Sequence, residues 1–562
     1  MKFAEYKAFD LPAIQEEIVE KWNREKTFLR SVEMRPKEKP FVFFEGPPSA
    51  NGMPGIHHVI SRAIKDVICR YKTPQGFRVE RRAGWDTHGL PVELGVEKSL
   101  GITKEDIGKT ISVEEYNAAC RTEVMKYTRE WENLTQKMAY WIDMSNPYVT
   151  YHNTYIETVW YLIREIYKKG FLYKGYSIQP YSPAAGTGLS THELNQPGCY
   201  KDVKDTTCTA QFEVIRDQVS EFLFSGTNAS GSAGAVASAS DGSEERVFFL
   251  AWTTTPWTLP SNTALCVGPS IRYRVVRTVN PYTEEPIRVI LAEDLMETFF
   301  PGDKAASYVA EPAVYTGKQL AGIRYHQLIP WVDPGEGAFC VITGDFVTIE
   351  DGTGIVHIAP TFGDDDNKVA KLHGVPALLL TDRQGTQCPM VDKTGKFYRL
   401  EDLSAGFVEK QVNTKAYAPF AGRYVKNEYD PQYQNNSAAT QDQDSLDVDI
   451  CMLLKKTGRV LRIEKMVHNY PHCWRTDKPI LYYPLDSWFI KTTAVKDRMI
   501  ELNNSISWKP ESTGTGRFGK WLENLQDWNL SRSRYWGTPL PIWRTEDGTE
   551  ELCVGSLREL YD

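Results

Sequence analysis

The pattern of apolar and polar residues near the start of the chain predicts a strand, a turn and a helix. The apolar run "PFVFF" precedes "PPSANGMPGIHH" (47–58), and "VISRAIKDVICRYK" follows it. In this last segment the apolar residues recur at the spacing of one helix face, namely Val59, Ile60, Ala63, Ile64, Val67 and Ile68. His57 and His58 therefore open the predicted helix, where unpaired backbone N–H groups and the helix dipole favour an anion. The pattern indicates a nucleotide phosphate site, although such a strand, turn and helix is weak evidence by itself.

Two more amphipathic helices are predicted before residue 171. Ser112 and Glu115 form a capping-box pair ahead of one long helix, whose apolar face includes Trp131 and Met138. A second segment, "YIETVWYLIREIYKKG", ends in two lysines and Gly170, which is a typical helix stop. The first part of the chain thus alternates strand and helix signals, which indicates an α/β domain.

The composition and the hydrophobic pattern of the sequence change twice along the chain. Residues 205–435 contain short β-type runs such as "VFFLAWTTT", "YRVVRTV" and "GTGIVHIAP", so we expect a separate β-rich module there. Segment 225–245 consists of small residues with nothing to bury, and we expect a mobile surface loop. A second polar stretch, 435–447, is predicted to be another insertion. Aromatic-rich segments then return, and we interpret residues 436–562 as the first domain, 1–204, resumed.

Length and composition narrow the class of protein. A chain of 562 residues is too long for one hydrophobic core, and 41% hydrophobic residues suit a globular enzyme of two or more domains. No apolar run reaches the roughly 18 residues that cross a bilayer, and the start lacks a signal-peptide layout, so we expect a cytoplasmic protein without a membrane partner. Ten scattered cysteines favour reduced thiols. Because the protein has a net charge of -8, it could bind a polyanion only through a local basic patch. The arginines near Lys72 could form such a patch, or they could equally be a solvated basic face.

Six motifs occur in order along the chain. They are "FFEGPPSANG" (43–52), "RRAGWDTHGLPVE" (81–93), "WTTTPWTLPSN" (252–262), "EDGTGIVH" (350–357), "YPHCWR" (470–475) and "DWNLSRSRYWGTPLPIW" (527–543). Together they closely resemble isoleucyl-tRNA synthetases, a family of class I aminoacyl-tRNA synthetases. The resemblance covers nearly the whole chain apart from the two polar insertions. "TTTPWTLP" is particularly similar to the isoleucine enzymes, because valine and leucine enzymes usually carry an arginine in that peptide.

The resemblance implies a doubly wound nucleotide-binding catalytic domain interrupted by a β-rich editing domain. It implies that isoleucine and ATP, the latter with Mg²⁺, give isoleucyl-adenylate and pyrophosphate, after which the isoleucyl group moves to tRNA(Ile). The attacking carboxylate is already ionised at pH 7, so the rate should come from positioning and from charge stabilisation. Hydrolytic editing of Val-tRNA(Ile) is also implied. Isoleucine against valine is itself the standard example of the limited discrimination that one methylene gives.

The resemblance also assigns roles to individual residues. The isoleucine substrate would be bound by Pro47, Asp86, Trp488 and Trp528. ATP would lie against Gly46, Asn51, Gly52, Gly55 and His58, with His57 and His58 as the catalytic pair. The editing pocket would contain Thr253, Thr254, Thr255, Asn262, His357 and Asp366, of which Asp366 would hold the ammonium of misattached valine. Without the resemblance, either tryptophan could be a core residue, Asp86 could cap a turn, and the threonines could be ordinary strand residues.

The first signature departs from the family pattern His-x-Gly-His. The corresponding residues are Gly55, Ile56, His57 and His58, so glycine and histidine have exchanged places. Neighbouring helix residues point about 100° apart, so we expect that His57 and His58 cannot both aim where the family pair does. Either His57 intrudes on the adenine site or the loop shifts. We expect ATP binding to survive in a rearranged pocket, and inhibitors that mimic the adenylate to bind more weakly.

Two further departures concern metal and length. Some relatives carry Cys-x-x-Cys at "SPAA" (182–185) and at "CWRT" (473–476), of which this chain keeps only Cys473, so we expect no zinc there. The sequence ends at Asp562, before a Lys-Met-Ser-Lys-Ser signature. We therefore expect this fragment to be insufficient for full aminoacylation, although the editing module could act alone. The expected partners are tRNA(Ile) and isoleucine, and the expected state is a monomer.

Three alternatives remain at this point. The first is a valine or leucine enzyme of the same class. The second is a non-activating homologue with a degenerate ATP site, which binds tRNA or deacylates Val-tRNA. The third is a generic nucleotide-binding scaffold, which the ordered set of motifs disfavours.

Overall fold

A computed structural model describes residues 9–224, 246–300, 308–434, 445–545 and 548–562, except for the side chains of residues 105, 191, 192 and 434. The chain forms two compact units. The discontinuous unit consists of Met1–Tyr173 and Trp488–Asp562, and the inserted unit is Lys174–Ser487. An interruption of the first domain was expected, but the inserted unit extends beyond 205–435 at both ends. The functional boundaries 1–204, 205–435 and 436–562 stay a prediction. The predicted loop at 225–245 and residues 435–444 of the second insertion lie outside the described residues.

The α-helices are α1 (Leu11–Arg24), α2 (Thr27–Glu33), α3 (Ile56–Lys72), α4 (Leu90–Leu100), α5 (Val113–Val124), α6 (Thr128–Lys137), α7 (Asn153–Lys168), α8 (Thr191–Leu194), α9 (Met296–Phe299), α10 (Gly317–Leu320), α11 (Asp364–Leu372), α12 (Ala405–Gln411), α13 (Thr414–Tyr417), α14 (Pro431–Gln434), α15 (Leu446–Lys456), α16 (Lys496–Asn504), α17 (Ser512–Thr515), α18 (Arg517–Glu523) and α19 (Leu557–Tyr561). Short 3₁₀ turns add Lys104–Asp106, Glu221–Leu223, Pro256–Ser261, Glu293–Leu295, Leu400–Asp402, Asn427–Tyr429 and Thr492–Val495. Within the described ranges, no helix is both long and apolar enough to cross a membrane.

The strands are β1 (Arg82–Trp85), β2 (Asp143–Val149), β3 (Leu172–Ser182), β4 (Thr187–Gly188), β5 (Tyr200–Glu213), β6 (Val247–Thr253), β7 (Ala264–Val267), β8 (Arg272–Val279), β9 (Pro286–Ala292), β10 (Tyr308–Thr316), β11 (Cys340–Thr343), β12 (Ile355–Ile358), β13 (Leu380–Thr381), β14 (Gln387–Cys388), β15 (Val460–Pro471), β16 (Leu481–Ile490), β17 (Trp528–Asn529), β18 (Ile542–Arg544) and β19 (Glu551–Cys553).

The inserted unit is built on a six-stranded sheet in the order β10-β8-β9-β6-β5-β15, beside a three-stranded sheet in the order β11-β7-β12. Strand β6 is central and is buried on both faces. Val247, Phe249 and Ala251 belong to the large core of the unit, while Phe248 and Leu250 face a second cluster. This double burial explains why the strand reads as a continuous apolar run. The β-rich character predicted for the middle of the chain is therefore present.

The discontinuous unit contains a parallel strand pair that positions two of the sequence motifs. Strand β1 pairs with β2, with Gly84 opposite Tyr148 and Trp85 opposite Val149. An added Cβ at Gly84 would lie 2.4 Å from the Tyr148 ring, so only glycine allows this close approach. The pair directs the chain after Trp85 into the segment that begins with Asp86.

Two local predictions for this unit need correction. The run "PFVFF" forms no regular strand; its only strand-type pairing within the described residues is a bridge between Pro40 and Arg78. Helix α3 is confirmed, but its apolar face is exposed: Ile60, Ile64 and Val67 are each about 60% accessible or more. A strand needs a neighbour to satisfy its backbone groups, and an apolar helix face needs one to cover it. Neither neighbour is present among the described residues.

The long helix predicted after Ser112 is two helices, α5 and α6. The capping box is confirmed, since the Glu115 N–H donates to Ser112 Oγ at 3.2 Å. The chain leaves the helical path before Tyr127, whose N–H donates to the Ala50 carbonyl at 2.9 Å instead of to the preceding helical turn. Trp131 on α6 donates its indole N–H to the Gly52 carbonyl at 2.9 Å. The break thus ties α6 to the turn that precedes α3.

Candidate active sites

A pocket of about 440 Å³ opens at the N-terminus of α3 in the discontinuous unit. Its lining residues are Glu45, Gly46, Pro47, Pro48, Ser49, Asn51, Gly52, Met53, His58, Ser61, Arg62, Lys65 and Trp131. The predicted residues Gly46, Pro47, Asn51, Gly52 and His58 are therefore brought together. Gly46 and Gly52 each leave open space where a side chain would stand. A flat ligand could approach the backbone closely at these two positions.

His58 has one ring nitrogen held by the backbone and one free for a ligand. The Gly55 N–H donates to Nδ1 at 2.9 Å, so a neutral imidazole carries its proton on Nε2. Partial burial, and then the neighbouring His57, lower the pKa of His58. The Trp131 ring packs edge-on against the imidazole with centroids 4.6 Å apart. His58 is thus a fixed hydrogen-bond donor at a helix N-terminus, which suits a phosphate oxygen.

His57 folds back over Gly55. Its ring centroid is 3.8 Å from that of His58, and an added Cβ at Gly55 would meet His57 Cε1 at 2.9 Å and Nδ1 at 3.0 Å. The angular separation of neighbouring helix residues therefore does not keep the two rings apart, because residue 55 has no side chain to exclude His57. Both imidazoles gather at the start of α3.

Three charged residues of this pocket were missed by the sequence reasoning. Lys65 forms an ion pair with Glu45 at 2.9 Å. Arg62 is buried, donates to Thr135 Oγ1 at 2.7 Å, and stacks over the Trp131 ring at 5.0 Å. The signal was present, because His58, Arg62 and Lys65 follow one another at spacings of four and three on one helix face. Two cations thus stand behind a histidine donor, an arrangement suited to a polyphosphate.

Pro47 and Asp86 are held in one local structure. The Asp86 N–H donates to the Pro48 carbonyl at 3.0 Å, and Ser49 Oγ donates to the Asp86 carbonyl at 2.9 Å. Asp86 is an exposed residue, yet surrounding protein atoms partly desolvate its carboxyl group and raise its pKa. These contacts agree with a carboxylate placed next to Pro47 for an ammonium group.

Trp488 and Trp528 lie on the paired strands β16 and β17. The Trp488 N–H donates to Ser531 Oγ at 2.9 Å, and its carbonyl accepts from the Leu530 N–H at 2.9 Å. Trp528 lies opposite Ile490 in the β16–β17 ladder and is 52% exposed. Among the described residues, these contacts are made with the 528–531 segment rather than with Pro47 or Asp86. A cage of all four residues around one isoleucine stays a prediction.

The motif at 527–543 does pack on the motif at 81–93. Glu93 is almost fully buried, pairs with Arg534 at 2.6 Å, and accepts the N–H of Trp536 at 3.0 Å. The Trp536 indole N–H donates to the Thr87 carbonyl at 2.6 Å, and its ring stacks edge-on against His88. The segments that carry Asp86 and Trp528 are therefore fixed relative to each other.

The predicted editing residues of the inserted unit lie at and just after the end of β6, directly after the turn Pro256–Ser261, on β12 and on α11. Thr253 Oγ1 accepts the Thr255 N–H at 3.1 Å. The turn Pro256–Ser261 follows, and the hydroxyl of Thr258 lies 2.8 Å from the Thr255 carbonyl and 3.2 Å from His357 Nε2. The threonine peptide and His357 are thus joined through Thr258, which the sequence reasoning did not single out.

The hydrogen-bond pattern fixes the proton on His357. The single proton of the Thr258 hydroxyl is donated to the Thr255 carbonyl, so the hydroxyl oxygen accepts from Nε2–H of the imidazole. Burial lowers the pKa of His357 to about 4, so the ring is neutral at pH 7. Its Nδ1 is buried and has no hydrogen-bond partner among the described residues. The unpaired Nδ1 of the neutral ring is therefore a hydrogen-bond acceptor.

Asp366 and Asn262 differ in their availability to a ligand. Asp366 lies in the first turn of α11, accepts the Ala359 N–H at 2.8 Å, and has its pKa raised to about 7 by burial. Asn262 is 2% exposed; its amide donates to the Ala264 carbonyl and its oxygen accepts from Tyr325 Oη, each at 2.8 Å. Asp366 supplies a carboxyl group, which is the kind of group that an ammonium ligand requires. We infer that Asn262 shapes the pocket instead.

Metal-binding groups are not gathered into a site within the described ranges. Groups of three or more His, Cys, Asp or Glu side chains that could hold a metal ion are absent there. All ten cysteines are free thiols, and Cys473 lies in an apolar cluster with Leu189, Leu194 and Ile480. The expectation of no zinc stays a prediction.

The chain is similar to known proteins over most of its length. Residues 17–562 match the family model of class I tRNA synthetases (I, L, M and V). The chain is 63% identical over 575 residues to an isoleucine–tRNA ligase of Porphyromonas gingivalis and 61% identical over 576 residues to one of Bacteroides fragilis, covering all of this chain and 48% of each relative. It thus spans about half the length of the curated relatives it matches. A LeuRS–tRNA–LeuAMS complex from Agrobacterium radiobacter K84 is similar with 13% identity and a TM-score of 0.34, over 97% of this chain and 52% of that one. From the family match, the chain belongs to the class I tRNA synthetases (I, L, M and V) and has their fold.

Proposed function

We propose that the protein is an isoleucine–tRNA ligase that works in the cytoplasm. In this proposal the discontinuous unit activates isoleucine with ATP and transfers it to tRNA(Ile), and the inserted unit hydrolyses Val-tRNA(Ile). The relatives at 61–63% identity carry the name isoleucine–tRNA ligase. The observation that carries the proposal is the pocket at the start of α3, where a phosphate-type donor set adjoins Pro47 and the segment of Asp86.

In the activation step, the residues of the discontinuous unit act by positioning and charge. The ionised Asp86 would bind the ammonium of isoleucine, which leaves the amino-acid carboxylate free to attack the α-phosphorus of ATP. Pyrophosphate leaves from the opposite side of that phosphorus. His58 would donate its Nε2–H to a phosphate oxygen, while Lys65 and Arg62 would stabilise the negative charge that develops on the leaving group. None of these residues needs to move a proton during the step.

The editing step would use the inserted unit. The ionised Asp366 would hold the ammonium of the valyl group, and a water molecule would be held by Nδ1 of His357. Attack of this water on the ester carbonyl breaks the bond to the ribose oxygen, and the proton ends on that oxygen. The neutral state of His357 is required, because a protonated ring has no acceptor for the water. The free Nδ1 described above supports this role.

Two assays on the same purified protein test the proposal. Amino-acid-dependent exchange between ATP and pyrophosphate should be faster with isoleucine than with valine or leucine. Hydrolysis of Val-tRNA(Ile) should exceed that of Ile-tRNA(Ile). Because this chain spans about half the length of the curated relatives, both should be measured on the 562-residue chain and on any longer product of the same gene. Exchange that prefers valine or leucine would assign the protein to another branch of the class.

A non-activating homologue is the second candidate, and the altered Gly55–His58 signature is the observation that favours it. Such a protein would hydrolyse Val-tRNA but would show no exchange with any amino acid in the longer product. Retention of an ordered His58 donor and of two cations in the pocket speaks against this candidate. The two assays above separate the two functions directly.

A further inference from the structure

Asp447 contacts the motif at 252–262, which carries several of the predicted editing residues. None of the sequence motifs indicated this contact. One carboxyl oxygen, Oδ1, accepts the backbone N–H of Trp257 at 2.8 Å, across 190 residues of sequence. Asp447 is 2% exposed and lies in the first turn of α15. The sequence reasoning had placed it at the end of a polar insertion, 435–447. Its burial and its contact show that residue 447 belongs to the folded inserted unit.

The Trp257 N–H needs a partner from elsewhere in the chain. It lies in the first turn of the 3₁₀ segment Pro256–Ser261, where backbone N–H groups have no partner within the segment. Pro256 has no N–H, and the residue before it, Thr255, makes no side-chain capping bond. Asp447 therefore supplies the cap that a local serine or aspartate would normally provide.

The capped turn is the one that reaches the candidate editing residues. Trp257 is followed by Thr258, whose hydroxyl links the Thr255 carbonyl to His357 Nε2. Trp257 itself is 3% exposed and packs edge-on against Phe362, with ring centroids 5.0 Å apart. A displacement of this turn would move Thr258 away from His357. The Nε2 proton of His357 would then lose its acceptor, and the ring would no longer be held with Nδ1 unprotonated.

Asp447 is not an isolated buried charge. Lys426 is 7% exposed, and its charge opposes the effect of burial on Asp447. The Lys426 ammonium contacts Asp205 at 2.6 Å and lies over the Tyr470 ring at 4.6 Å. Asp205 also contacts His468 Nε2 at 3.1 Å. Buried charges are retained in proteins when they are paired and hydrogen-bonded. This network of charged groups therefore helps to keep the Asp447 carboxyl group in its position as the cap of the turn.

We propose that Asp447 is a positioning residue of the editing site, which caps the Pro256–Ser261 turn and thereby holds Thr258 against His357. The inference rests on the editing function proposed above. Asp447 would touch neither the ester nor the hydrolytic water. Its loss should therefore reduce the rate constant for hydrolysis much more than the affinity for the charged tRNA.

Three variants separate the hydrogen bond from the charge and from general damage. Asp447→Ala removes the acceptor, Asp447→Asn keeps an oxygen acceptor without the charge, and Asp449→Ala is the matched control on the same helix. Asp449 pairs with Arg423 and is about one-third exposed. For Asp447→Ala we expect kcat for Val-tRNA hydrolysis to fall about ten- to one-hundred-fold, with KM changed less than about three-fold. Asp447→Asn should recover most of the activity, and Asp449→Ala should stay within about two-fold of the unmodified chain.

Each outcome decides the proposal. Asp447→Ala within about two-fold of the unmodified chain overturns it, and so does Asp447→Asn that is as impaired as Asp447→Ala, because the charge rather than the cap would then matter. If Asp447→Ala does not fold, Asp447→Asn is still compared with Asp449→Ala. Hydrogen exchange of the Trp257 amide gives a readout that needs no tRNA. Faster exchange in Asp447→Ala than in Asp449→Ala supports the cap, and equal rates overturn it, even if the unmodified chain shows no editing at all.

Discussion

The imidazole of His57 occupies the space that a side chain at residue 55 would need. A Cβ on Gly55 would stand 2.9 Å from Cε1 of His57, which is closer than a real side chain tolerates. The exchange of glycine and histidine in this signature is therefore one coupled change, in which the glycine makes room for the histidine that follows two residues later.

This coupling predicts a non-additive mutational cycle. Gly55→His alone should weaken ATP binding by about 1–3 kcal/mol, because it overpacks the space next to His57. His57→Gly added to it should restore most of that loss, since the double swap recreates an arrangement with one imidazole at this place. Calorimetric titration with MgATP measures all four proteins. Additive effects of the two substitutions would contradict the coupling.

The same swap bears on inhibitors that mimic the adenylate. We expect the Gly55→His, His57→Gly protein to bind such inhibitors more tightly than the natural sequence does. Inhibition constants from isoleucine-dependent exchange, measured on a product that is active in this assay, provide the comparison. Equal constants for the two proteins would defeat this expectation without affecting the mutational cycle.

Lys65 is expected to contribute to nucleotide binding. Lys65→Ala should weaken MgATP binding by about 1.5–3 kcal/mol, which is the usual contribution of a hydrogen bond to a charged group. Lys72→Ala, at the last residue of the same helix, should change the affinity by less than about 0.5 kcal/mol. Titration calorimetry on the 562-residue chain suffices, because no catalysis is needed. Similar losses in the two variants would show that Lys65 has no special role at the pocket.

Editing should depend on pH through Asp366. Burial raises the pKa of this carboxyl to about 7, so it is mostly protonated at pH 6 and mostly ionised at pH 8. Since only the ionised form can hold the ammonium of valine, hydrolysis of Val-tRNA above the uncatalysed rate should increase across this range. Asp366→Asn should remove both the activity and its pH dependence. Asp447→Asn, which leaves Asp366 intact, should show the same increase of the rate with pH. A flat pH profile in this variant would show that Asp447, and not Asp366, is the group that titrates.

Glu93 should be important for the stability of the discontinuous unit. Glu93→Ala removes one of the two carboxylates that pair with Arg534, since Glu97 also contacts the guanidinium. It also removes the acceptor of the Tyr535 and Trp536 backbone N–H groups, and should lower the free energy of unfolding by about 3–5 kcal/mol. Glu80→Ala removes an exposed pair with Arg78 and should cost less than about 1 kcal/mol. Urea unfolding followed by tryptophan fluorescence compares them. A small effect at Glu93 would mean that Glu97 alone suffices for Arg534 and that the two backbone N–H groups find other acceptors.

The sequence was most informative where function depends on a local segment. The start of α3, the capping box at Ser112 and the stop at Gly170 are each determined by residues close in sequence, and each is present in the structure. The pocket residues around His58 followed from the family signature, and Arg62 and Lys65 could have been found from helix spacing alone. The strand predicted at "PFVFF" failed because a strand depends on a partner that lies elsewhere in the chain.

Long-range polar contacts could not have been predicted from one sequence. Asp447 reads as one more acidic residue in a polar stretch, and only the fold brings it to Trp257. Glu93 similarly resembles an ordinary helix-surface residue of α4, yet it is 1% exposed and bonded to residues far away. Both residues look solvated in sequence because charge normally indicates a surface position. A charged residue can be buried when it is paired or hydrogen-bonded, and a local sequence pattern does not show which distant residue is its partner.

The distance in sequence between Glu93 and its partners also bears on synthesis. The groups that satisfy this carboxylate come 441 to 443 residues later, so they do not yet exist when α4 leaves the ribosome. Until then the emerging helix has to keep its carboxylate in water. The segment Lys174–Ser487 is completed first and can fold while the earlier part waits. A nascent chain stalled after Ser487 has left the ribosome, but before Arg534 has, should therefore protect that segment from protease and leave α4 open to cleavage.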